Sequence, residues 1–131
     1  MKRESPSVLV LEPNPLQRAL IQTTLTRHQI TPIICQDPRN LRQQLIDHLP
    51  DALLIDTYLP GHNGLDLIDQ LNSDILRQRT KIFFLSAMGY PEIIQKAAKL
   101  GASGFLVKPF DPDLLVNRLR NSFDQPAPIQ Q

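Results

Sequence analysis

Four polar side chains stand where apolar runs stop. Glu12 follows Val8–Leu11, Asp56 follows Ala52–Ile55, Ser86 follows Ile82–Leu85 and Lys108 follows Phe105–Val107. Two carboxylates, a hydroxyl and an ammonium are the groups that acyl phosphate chemistry uses. A carboxylate can attack phosphorus and form a mixed anhydride. The added dianion then needs countercharge and hydrogen-bond donors already in place. Lysine offers a point charge and serine a donor, and a divalent metal held by carboxylates would bridge nucleophile and phosphoryl group. Taken singly, each residue has a plainer reading. Asp56 is then a turn acid, Ser86 a surface hydroxyl, Lys108 a solvated cation, and Glu12 a carboxylate favoured near a helix N-terminus. Their meaning as a set depends on whether the chain brings them together.

The elements that must do so are well marked. A fifth apolar run, Ile33–Cys35, joins the four above, and each run is followed by a helix-like pattern. Continuous apolar runs, as opposed to alternating ones, predict strands covered on both faces, as in a parallel sheet. Asn14-Pro15, Asp37-Pro38 and Asp111-Pro112 each offer a capping side chain with proline at the first helical position. Asn63-Gly64 offers another cap, and Pro91 opens a further helix. The expected buried faces are Leu16/Ala19/Leu20/Thr23, Leu41/Leu45/Leu49, Leu67/Ile68/Leu71, Ile93/Ile94/Ala97/Ala98 and Leu115/Leu119/Phe123. Gly101 marks a helix stop, and Gly61 and Gly64 are expected to serve a turn after Pro60. Five βα units predict a doubly wound three-layer α/β domain. In such sheets sites form beyond the C-terminal ends of the strands. With the strands in the order 2-1-3-4-5, Glu12, Asp56, Ser86 and Lys108 would line one edge in a single cleft, and Asp56, on a central strand, is the best nucleophile.

Bulk properties narrow the classes. The 131 residues are 41% hydrophobic and 21% charged, with a formal net charge of +1, so one core is expected and no dominant phosphate-backbone binding face. The one cysteine, Cys35, lies in an apolar run and is expected to be a buried core thiol. No segment has the ~20 apolar residues of a membrane span, and the run after Met1-Lys2-Arg3 is too short for a signal peptide, which makes cytoplasmic the expected location. His28, His48 and His62 share no metal-ligand spacing and are expected at the surface. Residues 1–6 read as an N-terminal tail, 7–123 as the domain, and 124–131, "DQPAPIQQ", as a C-terminal tail or the start of a linker.

Four stretches in order, "VLVLEPNP", "ALLIDTYLPGHNGLDLI", "FFLSA" and "GASGFLVKPF", resemble the receiver domain of bacterial two-component response regulators. The separations of Asp56, Ser86 and Lys108 also fit that family, and the likeness runs from about Ser7 to Phe123. It implies a flavodoxin-like fold and supplies the strand order 2-1-3-4-5, with helices on both faces. It implies that Asp56 accepts a phosphoryl group from a sensor histidine kinase or a phosphotransfer protein. Lys108 would pair with that group, and the bond to Pro109 would be cis. Ser86 would move to bond a phosphoryl oxygen, and Phe105 would occupy the switch aromatic position. The Tyr58 backbone carbonyl would join Asp56 and Glu12 on Mg²⁺, and Ala87 would keep phosphate access open. The fourth helix, fifth strand and fifth helix would form the face that meets an output domain, a partner or a second copy. With no output domain in these residues, the reading is a stand-alone or excised receiver, with no direct nucleic-acid or membrane contact.

The chain departs from the family at one place. The family usually has two adjacent acids after the first strand; here the pair is Glu12-Pro13. Proline brings neither a ligand atom nor an N–H, and Asn14, one residue on, is explained as a helix cap. Mg²⁺ tolerates poor geometry badly, so weakened metal binding and slower phosphorylation are expected. The same feature supports an alternative, a phosphate-independent interaction module on the same fold. An enzyme is not expected. An aspartyl phosphatase would place a second acid at Tyr58, and a flavin domain would need a Ser/Thr/Gly-rich loop where "EPNP" stands.

Overall fold

The computed structural model describes residues 5–71 and 79–123. Its elements are β1 (Ser7–Leu11), α1 (Pro15–Arg27), β2 (Thr31–Ile34), a 3₁₀ turn (Pro38–Asn40), α2 (Leu41–His48), β3 (Ala52–Asp56), the two-residue strands β4 (Tyr58–Leu59) and β5 (His62–Asn63), α3 (Gly64–Leu71), β6 (Lys81–Ser86), α4 (Pro91–Lys99), β7 (Gly104–Val107) and α5 (Pro112–Phe123). The main sheet is all parallel, in the order β2-β1-β3-β6-β7. This is the doubly wound order that the family resemblance supplied. The tail from Asp124 and residues 1–4 lie outside the described residues.

The strands show why their runs are continuously apolar. Successive side chains point to opposite faces, and each face has its own core. Leu9, Leu11, Leu53, Ile55, Ile82 and Phe84 meet helices α2, α3 and α4 through Leu41, Leu45, Leu65, Ile68 and Ala97. Val8, Val10, Ala52, Leu54, Phe83 and Leu85 meet α1 and α5 through Ile21, Leu25, Leu115, Val116 and Leu119. A one-residue slip in any central strand would exchange the two sets. The register is therefore held by both cores, and it places the four strand ends level with one another.

The caps act as their sequence implies. Asn14 Oδ1 accepts the Gln17 N–H at 3.0 Å, Asn63 Oδ1 accepts the Leu65 N–H at 2.8 Å, and Asp111 Oδ1 accepts the Asp113 N–H at 2.9 Å. Asp37 caps too, but it starts the 3₁₀ turn, and α2 begins only at Leu41. Gly101 stops α4 with φ 89°. Gly61, at φ 75°, follows Pro60 in the turn that joins β4 to β5. Gly64 has a different duty from the turn role expected of it. A Cβ there would lie 2.1 Å from the Asp56 carbonyl oxygen, so α3 can start against the end of β3 only with glycine.

Several faces differ from the expected ones. In α1 the set Leu16/Ala19/Leu20/Thr23 points outward, with Leu16 83% and Leu20 45% exposed; Ile21, Thr24 and Leu25 are buried instead. Both sets have helical spacing. The short Glu12–Asn14 connection and the Asn14 cap determine which one faces the sheet. Leu49 is half-exposed at the left-handed C-cap of α2, where the following Pro50 disfavours helical backbone. In α4, Ile93 and Ala97 turn inward while Ile94 and Ala98 do not. β2 starts earlier than Ile33, at Thr31, and includes Pro32, which an edge strand tolerates. Cys35 follows it, buried; its thiol donates to the Asp37 carbonyl at 3.3 Å, and burial pushes its pKa up.

These faces predict opposite outcomes for two leucines of one helix. In urea unfolding, Leu25→Ala should cost about 2–5 kcal/mol, whereas Leu16→Ala should stay within about 0.5 kcal/mol.

Candidate functional site

The ends of β1, β3, β6 and β7 meet at one edge of the sheet, and Glu12, Asp56, Ser86 and Lys108 all line a cavity of about 700 Å³ there. Pro13, Thr57, Tyr58, Ala87 and Met88 complete its nearer wall. The residues singled out from sequence for chemistry are thus brought together, except Phe105, which lies behind the site.

Asp56 is 4% exposed, and each of its carboxylate oxygens has a partner. Oδ1 accepts the Tyr58 N–H at 2.8 Å, and Oδ2 accepts from the Lys108 ammonium. Glu12 is 2% exposed. Its Oε1 lies 2.6 Å from Lys108 Nζ without a well-angled hydrogen bond, and its Oε2 accepts the Asn14 N–H at 3.0 Å. Lys108 therefore spans two carboxylates on neighbouring strands. Its own backbone is anchored on β6, where its N–H donates to the Ser86 carbonyl at 2.8 Å, and its bond to Pro109 is cis. Burial alone would lower the Lys108 pKa. The hydrogen bond and charge of Asp56, and then the close Glu12 carboxylate, outweigh that, and the net direction is upward from 10.5.

Ser86 is 1% exposed and points elsewhere. Its Oγ accepts the Thr57 hydroxyl at 2.7 Å and the Met88 N–H at 3.0 Å. Thr57 was not among the residues singled out from sequence. A threonine after a strand-end acid gives no signal by itself, because the contact exists only once β3 and β6 pair in register. Phe105 is half-buried and tilted against Phe84, with ring centroids 6.5 Å apart, in the core beneath α4. Ala87 is exposed at the cavity wall. His48 and His62 are exposed, while His28 is half-buried at the C-cap of α1, where its carbonyl accepts from Arg120 at 2.6 Å.

The donor set suits a cation only in part. Two buried carboxylates, Glu12 and Asp56, are oxygen ligands of the kind Mg²⁺ takes. Among the described residues, however, no group of three or more His, Cys, Asp or Glu side chains could hold a metal ion. Pro13, next to Glu12 at the cavity wall, brings no side-chain ligand atom.

The class of the domain is a doubly wound parallel α/β sheet with two acids, a hydroxyl and a lysine gathered at one edge. The chain belongs to the response regulator receiver domain family, whose model matches residues 8–120. It is 28% identical over 122 residues to the phosphate regulon transcriptional regulatory protein PhoB of Klebsiella pneumoniae, and 27% identical to that of Escherichia coli. Each match covers 93% of this chain and 53% of the relative, so the chain spans about half the length of these relatives. Among solved structures, the Francisella response regulator 1452 receiver domain is 26% identical, with a TM-score of 0.80 over 91% of this chain and 97% of that one. The BeF3-activated receiver domain of Klebsiella pneumoniae RstA, 24% identical, shares the fold with a TM-score of 0.81 over 91% of this chain and 99% of that one. No helix among the described residues is long and apolar enough to cross a membrane.

The raised Lys108 pKa sets a pH dependence. A cation stabilised by folding contributes fully below its unfolded pKa, and the contribution is lost as pH rises through the folded value. Lys108→Met should therefore cost about 1.5–3 kcal/mol at pH 7. The gap to wild type should close only above the ordinary lysine value of 10.5. Urea unfolding from pH 7 upward measures it.

Proposed function

We propose that this chain is a phosphorylation-controlled signalling module in which Asp56 accepts a phosphoryl group from a phosphohistidine. The observation that carries this reading is the state of the Asp56 carboxylate. It is nearly buried yet borders an open cavity, one oxygen is oriented by the Tyr58 N–H, and the other is paired with a lysine. In the transfer, a carboxylate oxygen forms a bond to phosphorus. The phosphorus–nitrogen bond of the donor breaks, and its electron pair stays on the imidazole. Lys108, already charged, then offsets the new dianion without having to be recruited. Exposed Ala87 leaves room at the entrance. Asp56, the Tyr58 carbonyl and Glu12 would hold Mg²⁺, which supplies further countercharge to the phosphoryl oxygens. With Pro13 in the acid's place, that binding is weak.

The switch would run through Ser86 and Phe105 to the surface of α4, β7 and α5. That surface exposes Tyr90, Ile94, Val107 and Leu114, an apolar set suited to an output domain, a partner protein or a second copy. The donor would be a sensor histidine kinase or a phosphotransfer protein, and the module itself has no turnover chemistry.

Pro13 also supports the second reading, a phosphate-independent interaction module. Incubation with a small acyl phosphate donor, followed by intact mass measurement, separates the two. The first reading predicts a gain of one phosphoryl group that is lost in Asp56→Asn; the second predicts no gain with any donor. Restoring an acid by Pro13→Asp should tighten Mg²⁺ about tenfold or more in calorimetry, given the attraction of one further carboxylate near a divalent ion. Unchanged affinity would remove Pro13 from the account.

A further inference from the structure

We infer that Thr57 is a positioning residue that holds the Ser86 hydroxyl in its resting orientation and sets the cost of switching. This rests on the reading of Asp56 as the phosphoacceptor. Thr57 directly follows that acid, and its backbone is fixed at both ends. Its N–H donates to the Leu85 carbonyl at 2.9 Å, and its carbonyl accepts the Gly64 N–H at 2.8 Å. The side chain has β-branched stiffness, so its hydroxyl is carried to one place, 2.7 Å from Ser86 Oγ. The Met88 N–H, 3.0 Å away, meets the same oxygen. Ser86 Oγ thus has two donors in the resting state, neither of them from Asp56 or Lys108.

The consequence is a competition. For the Ser86 hydroxyl to reach a phosphoryl oxygen on Asp56, its side chain must turn away from Thr57. Ser86 is 1% exposed and Thr57 is half-buried at the cavity wall, so solvent offsets the broken contact only in part. One hydrogen bond of ordinary net strength corresponds to about a three- to tenfold change in equilibrium. Thr57 thereby taxes the activated state and keeps the unphosphorylated module off. The contact opposes the movement of Ser86 and has no part in transferring the phosphoryl group.

Thr57→Val keeps the shape and branching and removes only the hydroxyl. The first measurement uses unliganded protein and needs no phosphate: the Ser86 χ1 rotamer from three-bond NMR couplings. One rotamer is expected in wild type and in Thr57→Ser, and averaging over several in Thr57→Val. The second is the affinity for beryllofluoride, a phosphoryl mimic, in wild type, Thr57→Val, Ser86→Ala and the double variant, with thermal unfolding as a control. Thr57→Val should bind about three- to tenfold more tightly, and the gain should vanish when Ser86 is alanine. An unchanged Ser86 rotamer in Thr57→Val overturns the inference, as does an equal gain in both backgrounds. Absence of binding in all four proteins would count against the Asp56 reading, while the rotamer measurement would still decide the role of Thr57.

Discussion

One ammonium group holds this site together. Lys108 leaves the end of β7, crosses the end of β6 and reaches two buried carboxylates, Asp56 on β3 and Glu12 after β1. Two such acids side by side away from water are costly unless a cation is paired with them. The reach is possible because the residue in between, Ser86, is small and because Lys108 is tethered to its carbonyl. All of this depends on the parallel register, which is itself held by the two cores. Val8, Leu54 and Phe83 pack one way and Leu9, Leu53 and Phe84 the other. A change of register would expose apolar surface and separate the charges together.

Around that ammonium, Pro13 changes the local balance. The Lys108 ammonium meets two carboxylates, Glu12 and Asp56, and Pro13 beside Glu12 brings none. With no N–H on Pro13, the next donor along the loop is that of Asn14, and Glu12 uses Oε2 to accept it. The glutamate thus ties its own loop with one oxygen and faces Lys108 with the other. This arrangement holds the lysine firmly, and under the proposed function its expected mark is weak Mg²⁺ binding.

Most of the architecture was legible in the residues. Apolar runs marked the strands and Asn14, Asn63 and Asp111 marked helix starts, because both signals are local. The gathering of Glu12, Asp56, Ser86 and Lys108 followed from the rule that parallel strands end together, once a strand order was supplied. What failed to show depends on tertiary packing. Helix α1 has apolar residues on two overlapping faces, so spacing alone cannot select Ile21 and Leu25 over Leu16 and Leu20. The β4–β5 ribbon is too short to leave a periodic pattern. Lys81 opens β6 as a buried lysine, with its pKa pushed down by desolvation, and nothing beside it in sequence announces this. The Thr57–Ser86 contact joins residues far apart in the chain and exists only in the paired sheet.

The central claim is that Asp56 itself carries the phosphoryl group. Borohydride reduction of the protein after exposure to a phosphodonor, followed by tandem mass spectrometry, tests it most directly, because reduction marks an acyl phosphate at the carbon that bore it. The account predicts the mark on Asp56 and on no other residue. A mark on Glu12 or another acid, or none at all under conditions where a known receiver domain is fully labelled, would contradict it.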